Sequence, residues 1–232
     1  MIHRCLLLLS LLLAPVLHAA DDDTGWVSAA KARSPEDISL WTRTIPGQPL
    51  KAFRGATYTA TQTETLLAML YDTDSMQHWI FRCKDARILA EQPNGDIYVH
   101  MRINGIWPLT DRDAVMLVRA THDAKTGEIL FSGYGAPDYI PEQPGFVRIR
   151  VVASTWRLTP TPEGLLRVEW TGHVDPAGNV PLWLANTLGT LVPRYTLRSM
   201  RELLKEPRWQ TAEQRELGAR LLARIKAQPA PR

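Results

Sequence analysis

The stretch that most constrains how this chain can fold covers residues 165–205. It opens with LLRVEWTGHV, passes through the turn Asp175-Pro176-Ala177-Gly178-Asn179, and runs on into a long segment beginning PLWLANTLGTLVP. Asp-Pro and Gly-Asn are turn formers, and Pro181 suits the first turn of a helix, where its missing N–H is not needed, so a helix is expected to start near Val180. No charged residue lies between Pro176 and Pro193. That half of the helix can therefore be buried on more than one side. Beyond it, Arg194, Arg198, Arg201 and Lys205 share one face and Leu197, Met200 and Leu204 another, which is the spacing of an amphipathic helix. At ~1.5 Å per residue the segment reaches about 37 Å, enough to span a small domain. Pro176, Asn179, Pro181, Asn186, Gly189 and Pro193 make the uncharged run too polar and too broken for a stable membrane span.

The N-terminus, MIHRCLLLLSLLLAPVLHAA, has a basic start, a leucine run and small residues at Ala19-Ala20 before Asp21-Asp22-Asp23. It reads as a secretory signal peptide over residues 1–20, which implies export across the inner membrane to the periplasm. Cys5 precedes the leucine run and is not placed for lipid attachment. Cleavage leaves Cys83 as the one cysteine, so no intrachain disulfide is expected and stability must come from a core. The formal charge of +3 falls to +2 once Arg4 leaves with the leader, too balanced for a nucleic-acid binder.

Between leader and helix, the pattern predicts a short helix over 26–33 and strands over 38–45 and 50–59. A helix over 63–71, capped by Thr63, follows, and then a second short helix over 75–81. Strands are expected over 86–91, 97–104, 113–122, 128–134 and 146–159. Asn94-Gly95 and Thr126-Gly127 are hairpin turns between consecutive strands. Strands, helices, a long antiparallel meander and a terminal helix make an α+β domain. A curved antiparallel sheet closed by one long helix tends to enclose a cavity, and that is where function is expected.

Two motifs carry a family resemblance. Trp107-Pro108-Leu109-Thr110-Asp111-Arg112-Asp113 is similar to the P-x-x-x-R-D opening of a strand, and Val174-Asp175-Pro176-Ala177-Gly178-Asn179-Val180-Pro181-Leu182-Trp183 to the strand–D-P-x-G–helix passage, of the START (steroidogenic acute regulatory protein-related lipid transfer) domains. The element order fits from about residue 38 to 204. The resemblance identifies the chain as a bacterial secreted member with a helix-grip fold, a curved antiparallel sheet wrapped around the long C-terminal helix with an internal hydrophobic cavity. The domain then covers residues 21–206, followed by a helical tail over 207–232. It implies a protein that binds, and transfers, a lipid or other hydrophobic small molecule, with transient membrane-surface contact, no cofactor, no metal and no nucleic-acid partner.

The resemblance also implies a gate over residues 104–111, carrying Ile106 and Trp107. An apolar pair in a short loop costs solvation unless it packs or touches a membrane, although Trp107 can equally plug the core. Val99, Met101 and Ile103 form a wholly apolar strand face suited to the cavity. Trp183, Leu184, Leu188 and Val192 belong to the uncharged half of the helix and complete the candidate lining. Arg112, if buried, needs acceptors: a ligand carboxylate or hydroxyl, Glu169, or backbone carbonyls. The strand 97–103 has no acidic residue, unlike some sterol-binding relatives.

Enzyme chemistry has little support and none is expected. The histidines after the leader, His78, His100, His122 and His173, lie far apart, with no H-E-x-x-H and no G-x-S-x-G. His173-x-Asp175 is a weak metal hint, and Cys83 lacks a partner base. A helix-grip enzyme acting on an apolar substrate, cyclase- or hydrolase-like, is the alternative. The tail pattern over 211–227, with Leu217, Leu221, Leu222 and Ile225 on one side, can pack on the domain, bind a protein partner or lie on an anionic membrane.

Overall fold

The computed structural model describes residues 25–34 and 37–228; the leader, with Cys5, lies outside them. The chain runs β1 (Val27–Ala30), β2 (Ser39–Arg43), β3 (Ala52–Thr59), α1 (Thr63–Tyr71) and α2 (Met76–Trp79), then β4 (Cys83–Glu91), β5 (Ile97–Ile103), β6 (Asp111–His122) and β7 (Ile129–Gly135). It continues with β8 (Phe146–Ile149), β9 (Val151–Pro160), β10 (Leu166–Asp175), α3 (Leu182–Leu204) and α4 (Ala212–Ala227). Among the described residues ten strands form one sheet in the order β1-β2-β3-β10-β9-β7-β6-β5-β4, antiparallel throughout except that β8 lies parallel to the start of β6. Gly95 and Gly127, with φ of +85° and +73°, supply the left-handed residues of the two hairpin turns. Register shifts in the β4–β5 ladder bend that edge of the sheet. This is the expected α+β helix-grip arrangement.

Three local expectations are corrected. Residues 26–33 hold a strand, β1, not a helix: Val27–Ala30 pairs with β2, and the Trp26 ring lies against the guanidinium groups of Arg43 and Arg54, 4.7 and 4.5 Å from its centre. Long-range pairing overrides the local preference of Ser28-Ala29-Ala30. Thr63 is the first helical residue of α1 instead of its cap; Gln62 occupies the cap and its side chain makes no capping bond. The strand expected over 146–159 is two strands, because the chain changes partners at Arg150. Residues before it pair with β6, and those after it pair with β7 and β10. Gly135 permits this crossing, since a Cβ there would stand 2.7 Å from Arg150 O.

The helix α3 crosses the concave face over Gly55, where a Cβ would lie 2.8 Å from Leu197 Cδ1 and 3.1 Å from Pro193 Cβ. A side chain at 55 would lift the helix off the sheet. Its C-terminal half buries Leu197, Met200, Leu203 and Leu204 in the main core with Leu66, Leu67, Leu158 and Val168. The N-terminal half is the less buried one, contrary to expectation. Leu182 and Trp183 face solvent and Leu191 is partly exposed, because the sheet curves away beneath that half and leaves a space. Among the described residues no helix is long and apolar enough to cross a membrane. The tail helix α4 packs on α1, with Ile225 buried and Leu217 and Leu222 against the core. Its Gly218 sits so close that a Cβ would meet Glu64 O at 1.8 Å.

Candidate functional site

The space beneath α3 is a cavity of about 280 Å³. Its floor is aromatic: Trp156 and Trp170 stack with ring centres 4.8 Å apart, and Phe53 stands edge-on to Trp170 at 4.9 Å. Trp170 Nε1 donates to Ser154 Oγ at 2.9 Å, so its indole N–H is satisfied within the wall. One side comes from Met101 and Ile103 of β5 with Ala114 and Met116 of β6, and the roof from Ala185, Leu188, Gly189 and Val192 of α3. At the mouth stand the 104–110 loop, with Ile106 and Leu109 turned inward, and the turn carrying Pro176 and Val180.

The loop has a defined shape. Leu109 N donates to Ile106 O at 2.7 Å, Gly105 N to Asp111 Oδ1 at 2.8 Å, and Arg82 reaches Asn104 O at 2.8 Å and Gly105 O. Gly105 packs so tightly that a Cβ would stand 2.1 Å from Leu109 O. These bonds fix the base of the loop and leave its tip projecting, with Trp107 91% exposed.

Of the residues singled out in the sequence, Met101, Ile103, Ile106, Arg112, Leu188 and Val192 meet around this cavity, whereas Val99, Trp107, Glu169, Trp183 and Leu184 lie outside its wall. Val99 is buried on the same strand face as Met101 but beyond the cavity. Trp107 does not plug the core. Trp183 is 70% exposed on the outer side of α3. Glu169 does not partner Arg112: alternation along β10 turns Trp170 to the cavity and Glu169 to the opposite face, where it pairs with Arg167 and with the cross-strand Arg157 at 3.9 Å. Sequence reasoning missed the aromatic floor and Leu109. The i, i+2 spacing of Ser154 with Trp156, and the i, i+4 spacing of Trp170 with Val174, is the available signal.

Arg112 is 7% exposed. Its Nη1 donates to Thr110 O and its Nε lies 3.5 Å from Pro176 O, so it binds backbone carbonyls on both sides of the mouth. Burial pulls its guanidinium below the ordinary arginine value, against the charge of Asp111, which acts the other way. The other cations bordering the cavity are Lys51 and Arg82, both exposed, and none of the described lining residues is acidic.

The opposite face of the sheet carries a buried polar cluster. Arg148 donates from Nε and Nη2 to the two carboxylate oxygens of Asp113, at 3.0 and 2.8 Å, and His100 Nε2 donates to Asp113 Oδ2 at 2.9 Å. The remaining Arg148 donors go to Pro137, Ile140 and Pro141 carbonyls. Tyr139 stacks on Tyr98 at 3.7 Å. The cluster thus straps the 136–145 loop onto the sheet, and it faces away from the cavity. Burial pushes the Cys83 thiol up to about 12, with the Asp85 charge adding to it, so it is a protonated core residue at neutral pH. Among the described residues no three potential metal ligands come together. The groove on the outside of α3, between His78, Tyr195, Arg198 and Glu202, is open to solvent and carries both signs of charge.

An uncharacterized protein of Pseudomonas aeruginosa is 29% identical over 170 residues, covering 73% of this chain and 83% of its own length. Among solved structures, the fold superposes on a STAR-related lipid transfer protein from Xanthomonas axonopodis with a TM-score of 0.71 and 27% identity, covering 78% of this chain and 99% of that one. It also superposes on human STARD10 with a TM-score of 0.70 and 19% identity, covering 91% and 86% of the two chains. The START domain family model matches residues 7–210. With that match, and with a cavity held between a curved sheet and its C-terminal helix, the chain belongs to the START domain family.

Proposed function

We propose that this protein binds one lipid-like molecule in the cavity beneath α3 and carries it between membranes through the periplasm, after loss of residues 1–20. The observation that carries the reading is the cavity itself, an apolar space of about 280 Å³ that no side chain of the protein fills. Interiors are otherwise close-packed, and a void of this size would be costly to keep without a use. Family membership and likeness to the Xanthomonas STAR-related lipid transfer protein support a lipid as the occupant. The volume lies near the lower end of the roughly 300–1,000 Å³ usual for ligand sites, which suits a single chain or a compact ring system. Trp107, Leu182 and Trp183 are exposed on the two elements that border the cavity, the 104–110 loop and the start of α3. They form an apolar rim suited to brief contact with a membrane surface.

Native mass spectrometry of the purified protein should detect a bound lipid of fixed mass, and the neutral dye Nile red should bind the delipidated protein. Leu188→Trp puts a larger side chain into the roof and should lower dye affinity at least about tenfold, the cost of ~1.4 kcal/mol of lost binding. Equal binding by wild type and Leu188→Trp would place the dye elsewhere and sink the cavity as the site. For the compartment, sequencing protein from a periplasmic extract should give an N-terminus near Asp21; an intact leader fixed in the membrane fraction would refute export with cleavage.

A further inference from the structure

The cavity wall carries a positive charge that no described carboxylate pairs with directly; Asp111 acts on it through its charge alone. Arg112 is buried there, yet of its five N–H donors one serves Thr110 O and one makes a long contact of 3.5 Å to Pro176 O. Nη2 has no acceptor among the described residues. The neighbouring carboxylates are engaged elsewhere. Asp111 accepts from Gly105 N and Lys84, Asp113 from Arg148 and His100 on the other face, and Asp175 from Ala177 N at 2.9 Å. Lys51 and Arg82 border the same cavity with exposed side chains, and no described lining residue is acidic.

A buried cation without a counter-ion is costly, and neutral lipid would leave that cost in place. An anion removes it. The guanidinium N–H groups left over, the two on Nη2 and the second on Nη1, lie in one plane and fit the oxygens of an oxyacid, and such charge-assisted bonds are about twice as strong as neutral ones. Cations at the rim raise the local concentration of anions near the mouth. Resting on the reading of the cavity as a ligand site, we propose that its occupant is a single-chain amphiphile with an anionic oxyacid head group, a carboxylate or a phosphate monoester. The Arg112 guanidinium takes the head and the aromatic floor takes the chain.

The test is displacement of Nile red from the delipidated protein at neutral pH by dodecanoate, dodecyl phosphate and dodecan-1-ol, which share a chain and differ in head group. At least one acid should displace the dye at a concentration about tenfold or more below that of the alcohol, from the strength of a hydrogen bond to a charged group. Which acid does so tells carboxylate from phosphate. Arg112→Gln, read as the ratio of acid to alcohol displacement within the variant and not as absolute dye affinity, should lose the preference. In wild type alone, acidifying until dodecanoate is protonated should bring it level with the alcohol, a readout that needs no variant. Equal displacement by acids and alcohol at neutral pH, or a preference that survives in folded Arg112→Gln, overturns the proposal and leaves the cavity reading intact. Failure of Nile red and all three amphiphiles to bind wild type removes both.

Discussion

Asp113→Ala is expected to cost about 3–5 kcal/mol of folding stability, the range for breaking a buried ion pair by removing one partner. The Arg148 side chain is 1% exposed and Asp113 is fully buried, so the substitution strands a guanidinium where water cannot reach it. Burial alone would push the Asp113 carboxyl up; hydrogen bonds from Arg148 and His100, with their charges, overcome this and hold it below its ordinary value. Stability from such a group is fully present above the unfolded carboxylate pKa near ~4 and is lost as pH falls through the lower folded value. Urea denaturation should therefore show the full cost at neutral pH and a shrinking one under strongly acidic conditions. Asp85→Ala provides the comparison: its pair with Arg102 is about 40% exposed on both sides, and its loss should cost under ~1 kcal/mol. Equal costs for the two variants would mean that the buried cluster does not hold the fold. The consequence also reaches the cavity. Asp113 and Arg112 are adjacent and point to opposite faces of β6, and Ile149, next to Arg148, lines the cavity, so the strap on the outer face fixes the strand from which Arg112 projects.

That cluster also shows where sequence reading stops. Alternation in β5 separates Val99, Met101 and Ile103 from Tyr98, His100 and Arg102 correctly, because alternate residues of a strand point to opposite faces. The apolar set does face inward. The polar set faces the other way, and there His100, with Asp113 of β6 and Arg148 of β8, is buried, because the 136–145 loop folds over them. Nothing local to His100 or Asp113 announces a loop that returns over them from later in the chain. The opposite failure occurs in α3, where absence of charge over 176–193 suggested deep burial. The apolar run instead divides into a side that faces an unfilled space and a side that faces water, and hydropathy does not tell a cavity from a core. Glu169 and Arg112 were paired by chemistry alone; strand parity, legible once Trp170 is placed inside, separates them. Turn chemistry was more reliable: Asn94-Gly95, Thr126-Gly127 and Asp175-Pro176 each mark a break between elements, since their backbone requirements are local.

Trp107→Ala combined with Trp183→Ala is expected to slow exchange of bound ligand with vesicles at least about tenfold, while stability changes by no more than ~0.5 kcal/mol, the usual bound for surface positions. The two side chains are 91% and 70% exposed, so removing them leaves no void. Exposing two tryptophans on the elements bordering a cavity has a solvation cost that water does not return. An interface does return it, because the ring is apolar while the indole N–H stays hydrated. Moving a large apolar side chain out of water contributes about 1.5–3 kcal/mol, so two together can hold the mouth against lipid long enough for a ligand to cross. The tight turn from Ile106 to Leu109 couples rim to cavity, since Ile106, which lines the wall, directly precedes Trp107 on the same loop. Stopped-flow transfer of a fluorescent fatty acid to phosphatidylglycerol-containing vesicles measures the rate, and dye titration measures capacity. Slower transfer with unchanged capacity is the signature of a lost membrane contact. Unchanged transfer would leave the exposed tryptophans without this role, and a parallel loss of capacity would assign them to binding instead.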